Sequence, residues 1–83
     1  MEKQRLAEGV ELMDSLHFGH RTVPLLNRAK RPDSRRQLHE RLKEMALDLE
    51  FRRKWKQATN VELWSDAAIF KFSDGTKLYL NIS

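Results

Sequence analysis

The sequence contains no cysteine among its 83 residues. This absence excludes disulfide bonds, thiolate metal ligands and a thiol nucleophile. A secreted domain of this size usually needs disulfides or a metal to hold its small core together. We therefore expect a cytoplasmic protein rather than a secreted one.

Long apolar runs and glycine-rich loops are also absent. No stretch approaches the roughly 18 apolar residues of a membrane-spanning helix. The opening residues, Met-Glu-Lys-Gln-Arg-Leu, lack the features of a signal peptide or a membrane anchor. The three glycines form no phosphate-binding loop, and no serine stands in a G-x-S-x-G setting. We therefore expect no membrane partner, no cofactor and no catalytic serine.

The composition is that of one small folded domain. With 40% hydrophobic and 34% charged residues, the chain is too apolar for a disordered protein. A length of 83 residues leaves room for one domain only. We predict a single domain over residues 1–83, with a helical part over 1–59 and a β-meander over 60–83.

Positive charge is concentrated in the middle of the sequence. The net charge is +4, yet residues 1–20 carry two Lys and Arg against four Asp and Glu. Residues 28–43 carry seven Lys and Arg against two acids. Clustered cations attract nucleic acid through its phosphates. This segment is therefore a candidate electrostatic site, and its leading residues are Arg28, Lys30, Arg31, Arg35 and Arg36.

Apolar residues at helical spacing predict one or two helices before residue 33. A first helix over about residues 2–17, ended by Gly19, is indicated by one such repeat: Leu6, Val10, Met13 and Leu16. Residues 20–32 are compatible with a second, short helix that Thr22 caps. Pro32 separates that segment from the next helix.

The longest predicted helix covers about residues 34–58. Ser34 and Gln37 form a capping-box pattern, and Asp33 is an alternative N-cap. Two separate apolar stripes run along this helix: Leu38, Leu42, Met45 and Leu49 in the first, and Leu47, Phe51 and Trp55 in the second. A helix that is apolar on two sides is covered on both. The second stripe is therefore a candidate homodimer contact, unless the chain itself covers it.

After Asn60 the apolar period changes to two, which indicates strands. We predict a three-stranded antiparallel meander over residues 61–65, 68–72 and 76–82, with Asp74-Gly75 at the second turn. The expected fold class is α+β: one or two N-terminal helices, then a long helix over about 34–58, followed by a C-terminal three-stranded antiparallel β-meander.

The apolar pattern also selects strand registers. A three-residue loop, Ser73-Asp74-Gly75, pairs Phe70 with Leu78, and a first turn with Asp66-Ala67 at its tip pairs Leu63 with Phe70. The face away from the apolar side then carries a row of three residues with two lysines beside it: Trp64, Ile69, Tyr79, Lys71 and Lys77. An exposed row of this kind marks an interaction site, whereas a helix lying across it would make it ordinary core.

The sequence favours a small, non-enzymatic regulatory protein that docks on a larger protein or nucleoprotein through that row, because Trp and Tyr are enriched at interface hot spots. One alternative is nucleic-acid binding, either in a winged-helix-like arrangement using residues 28–43 or by base stacking on the sheet. A second alternative is a small ribonuclease-type toxin with Glu62 as general base, although Glu62 and Lys71 also read as a simple cross-strand ion pair. His17 and His20 are interpreted as surface residues rather than metal ligands, because Gly19 separates them.

Overall fold

The computed structural model describes residues 12–82, which form two helices and one five-stranded sheet. In chain order the elements are β1 (Leu12–Phe18), β2 (Arg21–Asn27), α1 (Ser34–Met45), α2 (Leu49–Trp55), β3 (Asn60–Leu63), β4 (Ala67–Lys71) and β5 (Lys77–Asn81). The predicted architecture, helices first and then a three-stranded meander, is wrong. Two strands precede the helices and belong to the same sheet as the last three.

The strands follow one another across the sheet in chain order. β1 and β2 form an antiparallel hairpin, and β3, β4 and β5 form a second antiparallel unit. β2 and β3 join the two units in parallel through only three residue pairs, from Leu25 with Val61 to Asn27 with Leu63. A parallel pair requires a long crossover connection, and α1 and α2 provide it.

The β1–β2 hairpin occupies the segment in which helices were predicted. Leu16 fits a helical repeat, but it also alternates with Phe18 as in a strand, and both are buried. Gly19, with a φ of 64°, opens a two-residue turn of the kind that suits twisted strands, so it does not end a helix. The predicted helix over 2–17 is therefore wrong from Leu12 onward, and its earlier part lies outside the described residues. The short helix in 20–32 is also wrong.

The predicted long helix is broken between Met45 and Leu49. The cause is Asp48, whose backbone is extended and whose Oδ1 accepts the Phe51 N–H at 3.2 Å, which caps α2. The break leaves Leu47 90% exposed, while Trp55 is only 5% exposed. The stripe of Leu47, Phe51 and Trp55 is thus not one continuous surface, and Trp55 is covered by its own chain.

The hydrophobic core lies between the sheet and the two helices. Trp55 meets the edge of the Phe18 ring at a centroid distance of 5.0 Å and lies 6.2 Å from Phe70. Alternate strand positions and the inner side of α1 supply most of the remaining core: Leu16, Val23, Leu25, Leu38, Leu42, Val61, Leu63, Ala68, Leu80 and Ile82. Burying one large side chain of this kind contributes about 1.5–3 kcal/mol. The first predicted stripe is confirmed at Leu38 and Leu42, but Leu49 is exposed.

The last three strands match the predicted meander in one turn and differ in the other. Phe70 lies opposite Leu78, as predicted for the loop containing Gly75. Val61, rather than Leu63, lies opposite Phe70, because the turn tip is Ser65-Asp66 instead of Asp66-Ala67. Moving a turn tip by one residue shifts the register by two, so every side chain keeps its predicted face.

Arg21 fastens the helical layer to the sheet. Its guanidinium donates hydrogen bonds to the Lys56 carbonyl and, at 2.7 Å, to the Ala58 carbonyl. A cation at a helix C-terminus is favourable because the last carbonyls there lack partners within the helix. Within residues 12–82, neither helix has the length and apolar character needed to cross a bilayer.

Candidate binding surface

One face of the sheet is not covered by α1 or α2, and we call it the open face. Strand alternation places the following side chains on it: Pro24, Leu26, Glu62, Trp64, Ile69, Lys71, Lys77 and Tyr79. Trp64 is 39% exposed and Tyr79 is 66% exposed, whereas Ile69 is half-buried. All five residues predicted to bind a partner (Trp64, Ile69, Tyr79, Lys71 and Lys77) therefore share one surface of the molecule.

Trp64 is held at a fixed corner of the open face. Its backbone N–H donates to the Ala67 carbonyl at 2.7 Å. The Ser65 hydroxyl accepts the Lys30 backbone N–H at 2.9 Å, and the Ser65 carbonyl accepts the Ser34 hydroxyl at 2.8 Å. These bonds tie the β3–β4 turn to the start of α1. The predicted capping box is therefore wrong, because the Ser34 hydroxyl is used in this link and gives α1 no cap.

Glu62 is the centre of a polar cluster on the open face. Its Oε1 accepts the Trp64 indole N–H and its Oε2 accepts the Lys71 ammonium, each at 2.9 Å. The Arg28 Nε lies 3.8 Å from Oε2, and the Glu62 side chain is only 13% exposed. The hydrogen bond from Lys71 is the main reason why the pKa of Glu62 is below its ordinary value. The Trp64 hydrogen bond and the charges of Lys71 and Arg28 act in the same direction, while burial opposes them.

Arg28 and Glu62 together fix the orientation of the exposed indole. The Arg28 guanidinium carbon lies 5.2 Å from the centroid of the Trp64 ring, within the range of a cation–π contact. The Arg28 backbone N–H donates to the Leu63 carbonyl at 2.7 Å. Trp64 therefore has a cation at its ring and a carboxylate at its N–H. An aromatic side chain that is fixed in this way loses little conformational entropy when a partner binds.

Ile69 and Tyr79 are direct cross-strand partners, and Lys71 and Lys77 form the next pair on the same face. The predicted turn tip at Asp66-Ala67 would place Trp64 opposite Ile69, but Ile69 lies opposite Glu62. Lys71 reaches Glu62 diagonally instead of from directly across. Two lysines facing each other repel, and the Glu62 carboxylate offsets this repulsion on the Lys71 side.

A cleft of about 340 Å³ adds a concave part to the open face. Pro24, Leu26, Asn60, Val61, Glu62 and Lys71 line it. It forms because pairing between β2 and β3 begins only at Leu25, so that Pro24 and Asn60 lie where the two strands diverge. Pro24 pairs with Ser15 of β1 but lies outside the β2–β3 pairing, so its missing N–H removes no hydrogen bond between β2 and β3. Sequence reasoning missed this cleft, since it considered a short helix in residues 20–32 and predicted no strand there.

The five residues of the candidate electrostatic site are not brought together. Arg28 lies at the open face, whereas Arg35 pairs with Asp14 and donates to the Ser15 carbonyl at 3.0 Å, which joins α1 to β1. The Arg36 Nη2 lies 3.4 Å from the Asp33 Oδ2 in a surface ion pair. Lys30 and Arg31 are exposed, and neither has a carboxylate partner in the described part of the chain.

The histidines form no metal centre in the described part of the chain. No group of three or more His, Cys, Asp or Glu side chains with metal-binding geometry occurs within residues 12–82. His17 lies in β1 and His20 is the second residue of the hairpin turn, and the His17 Nδ1 is 3.4 Å from the Thr22 hydroxyl.

Comparison with protein-family models, with curated proteins and with solved structures finds no match to this chain. Its function must therefore be inferred from the geometry of the chain alone.

Proposed function

We propose that this chain is a small, non-enzymatic binding protein that docks on a larger protein through the open face. The observation that carries the proposal is the exposure of Trp64 and Tyr79 on one side of the five-stranded sheet. Large aromatic side chains are costly to leave in water and are enriched at the centres of protein interfaces. A cytoplasmic location, suggested by the lack of cysteine, belongs to the same proposal.

The charges on the open face favour a protein partner over stacked nucleic-acid bases. A base-stacking surface needs cations that are free to hold phosphates. Here Lys71 is hydrogen-bonded to Glu62, and Arg28 lies between the same carboxylate and the Trp64 ring. Glu62 itself would repel a phosphate. Lys77 is the one lysine or arginine of this face without a carboxylate partner in the described part of the chain.

The shape of the open face indicates what the partner must provide. The cleft beside Pro24 and Leu26 can accept one protruding apolar side chain, and Trp64 and Tyr79 stand beyond it as anchors. A specific protein interface covers about 800 Å² on each partner. The partner surface should therefore be mostly apolar at its centre, with one projecting side chain and a polar edge that meets Lys77.

Affinity capture from a cell extract with four forms of the protein tests this proposal. We expect the wild type and Leu47→Ala to retain the same protein, and Trp64→Ala and Tyr79→Ala to lose it. Leu47 is the matched control, because it is an exposed apolar residue that lies outside the sheet. With the purified partner, truncating a hot-spot residue should weaken binding by about 30-fold or more. Equal retention by all four forms would refute docking through this face.

A second candidate function, nucleic-acid binding, is favoured by the charge of the helical layer. Residues 28–56 carry eleven Lys and Arg against five Asp and Glu, a net charge of +6. Seven of these cations have no carboxylate partner in the described part of the chain: Lys30, Arg31, Lys43, Arg52, Arg53, Lys54 and Lys56. The winged-helix-like form of this hypothesis loses the short first helix that it expected, since residues 21–27 are a strand.

The two candidates differ in salt dependence and in the residues involved. Nucleic-acid affinity should fall steeply with salt concentration. The double variant Arg52→Gln/Arg53→Gln should reduce the slope of log affinity against log salt concentration. Nuclease treatment of the extract should abolish capture in that case and leave it unchanged if the open face binds a protein directly. The ribonuclease alternative receives little support, because both oxygens of Glu62 are engaged and its lowered pKa makes it a weak base.

A further inference from the structure

A groove on the helical side of the molecule has features of a ligand site. It lies between β1, α1 and α2, has a volume of about 290 Å³, and is open to solvent. This volume is close to the lower limit of about 300–1,000 Å³ for small-molecule pockets. The groove is separate from the open face, so a ligand could bind there whether or not the proposed function is correct.

The floor of the groove is apolar. Leu16 and Phe18 of β1, Leu42 of α1 and Trp55 of α2 form it, and all four are buried side chains of the core. The indole N–H of Trp55 is buried and has no hydrogen-bond partner within residues 12–82. A site of this kind favours a ligand with an apolar body, because filling it removes apolar surface from water.

The rim of the groove is basic and contains no acid. Lys43, Arg52 and Lys56 line it, and none of these three cations has a carboxylate partner in the part of the chain that the structure describes. His17 and His39 complete the rim. Burial, followed by the charges of Arg35 and Lys43, lowers the pKa of His39. The lowered pKa favours the neutral form of His39, and the formal positive charges at the rim are those of Lys43, Arg52 and Lys56.

We propose that this groove binds a small organic anion with an apolar body, such as a medium-chain or aromatic carboxylate. The apolar part would lie on Leu42 and Trp55, and the carboxylate would lie between Lys43, Arg52 and Lys56. Charge complementarity decides the ligand class. A neutral apolar ligand would leave the cations of the rim without a partner, and a purely ionic ligand would leave the apolar floor uncovered. A volume of about 290 Å³ fits a small molecule better than an extended polypeptide.

Decanoate, kept below its micelle-forming concentration, is the test ligand, and decanol is its neutral counterpart. The readout is the pair of tryptophan indole N–H signals in a ¹H–¹⁵N correlation spectrum, which a Trp64→Phe spectrum assigns. Decanoate should shift the Trp55 signal in a saturable manner and leave the Trp64 signal in place. Decanol should bind at least tenfold more weakly, because losing one charge-assisted contact corresponds to about a tenfold change in affinity.

Two variants connect the binding to this groove. Lys43→Gln with Arg52→Gln should weaken decanoate binding by about tenfold or more, while Lys30→Gln with Arg31→Gln, which removes the same charge elsewhere, should leave it unchanged. Ala46→Phe should block the groove, since Ala46 is a half-buried lining residue. The charge variants are at accessible positions, so they test the proposal even if Ala46→Phe fails to fold.

Several results would overturn the proposal. These are a non-saturable shift, a shift at Trp64 alone, equal binding of decanol, or equal weakening by the two charge-removing pairs. Binding of an acidic peptide at the groove without binding of decanoate would also reject it, because the occupant would then be a protein segment.

Discussion

Replacing Trp55 by alanine tests whether the core is assembled as described. The side chain is 5% exposed, and it lies within 5.0 to 6.5 Å, centroid to centroid, of Phe18, Phe70 and Phe51. Truncation of a buried tryptophan costs about 3–5 kcal/mol, through lost burial and the cavity left behind. A chain of 83 residues has a total free energy of unfolding of only about 4–12 kcal/mol. Trp55→Ala should therefore be close to unfolded at 25 °C, or lower the melting temperature by more than about 12 °C.

Urea denaturation followed by circular dichroism is the appropriate assay, because tryptophan fluorescence would lose one of its reporters in this variant. Trp55→Phe keeps a ring and should cost less than Trp55→Ala. Leu47→Ala is the control: its side chain is 90% exposed, so its effect should stay within about 0.5 kcal/mol. A cost below about 1 kcal/mol for Trp55→Ala would refute the reasoning. Equal losses of stability in Trp55→Ala and Leu47→Ala that depend on protein concentration would also refute it, since they would place the two residues together in a dimer contact.

Two further substitutions test local features of the sheet. Glu62→Gln should lower the free energy of unfolding by about 1–2 kcal/mol at pH 7, since the carboxylate accepts two charge-assisted hydrogen bonds. Folding lowers the pKa of Glu62, so its contribution to stability is present above the unfolded-state pKa and is lost as pH falls through the folded-state pKa. A difference in the free energy of unfolding between wild type and Glu62→Gln that is as large at pH 3 as at pH 7 would contradict this reasoning. Gly19→Ala should lower the free energy of unfolding by about 1–2 kcal/mol through its positive φ alone, because no heavy atom outside the adjacent residues lies within 4 Å of an added Cβ. His20→Ala should change little in the same urea titrations.

The first half of the fold was not predictable from local pattern because its apolar residues fit two periods. Leu16 belongs to a helical repeat with Leu6, Val10 and Met13, and equally to a strand repeat with Phe18. Gly19 is compatible with the end of a helix and with a hairpin turn. The choice depends on β3, which lies more than thirty residues away and pairs with β2. No local feature of residues 12–27 contains that information.

The break in the long helix had a signal that the apolar stripes concealed. Asp48 precedes Leu49-Glu50-Phe51, which is an N-cap pattern for a new helix. The interpretation with two apolar stripes instead assumed one continuous helix over residues 34–58. Because the helix is interrupted at Asp48, Trp55 faces the core while Leu47 faces water.

The open face was predictable because strand alternation is insensitive to the error made in the register. An even shift moved Glu62 from opposite Lys71 to opposite Ile69, yet it left Trp64, Ile69 and Tyr79 on one side of the sheet. The contact of Arg28 with Glu62 and Trp64 was not predictable, because it requires β2 to lie beside β3. The part of the surface formed by the last three strands was therefore visible in the sequence, while the part supplied by β2 was not.

The three-pair parallel seam between β2 and β3 has a consequence for how the chain folds. Leu25 and Val61 meet across it, so the chain must close a loop containing both helices before the two halves of the sheet join. The β3–β5 unit, in contrast, forms through short turns. The β1–β2 hairpin also closes through a short turn, so both units should form before they join. Pairing of β2 with β3 should then be the slow step, and substitutions there should change the rate of folding more than substitutions in the Gly75 turn.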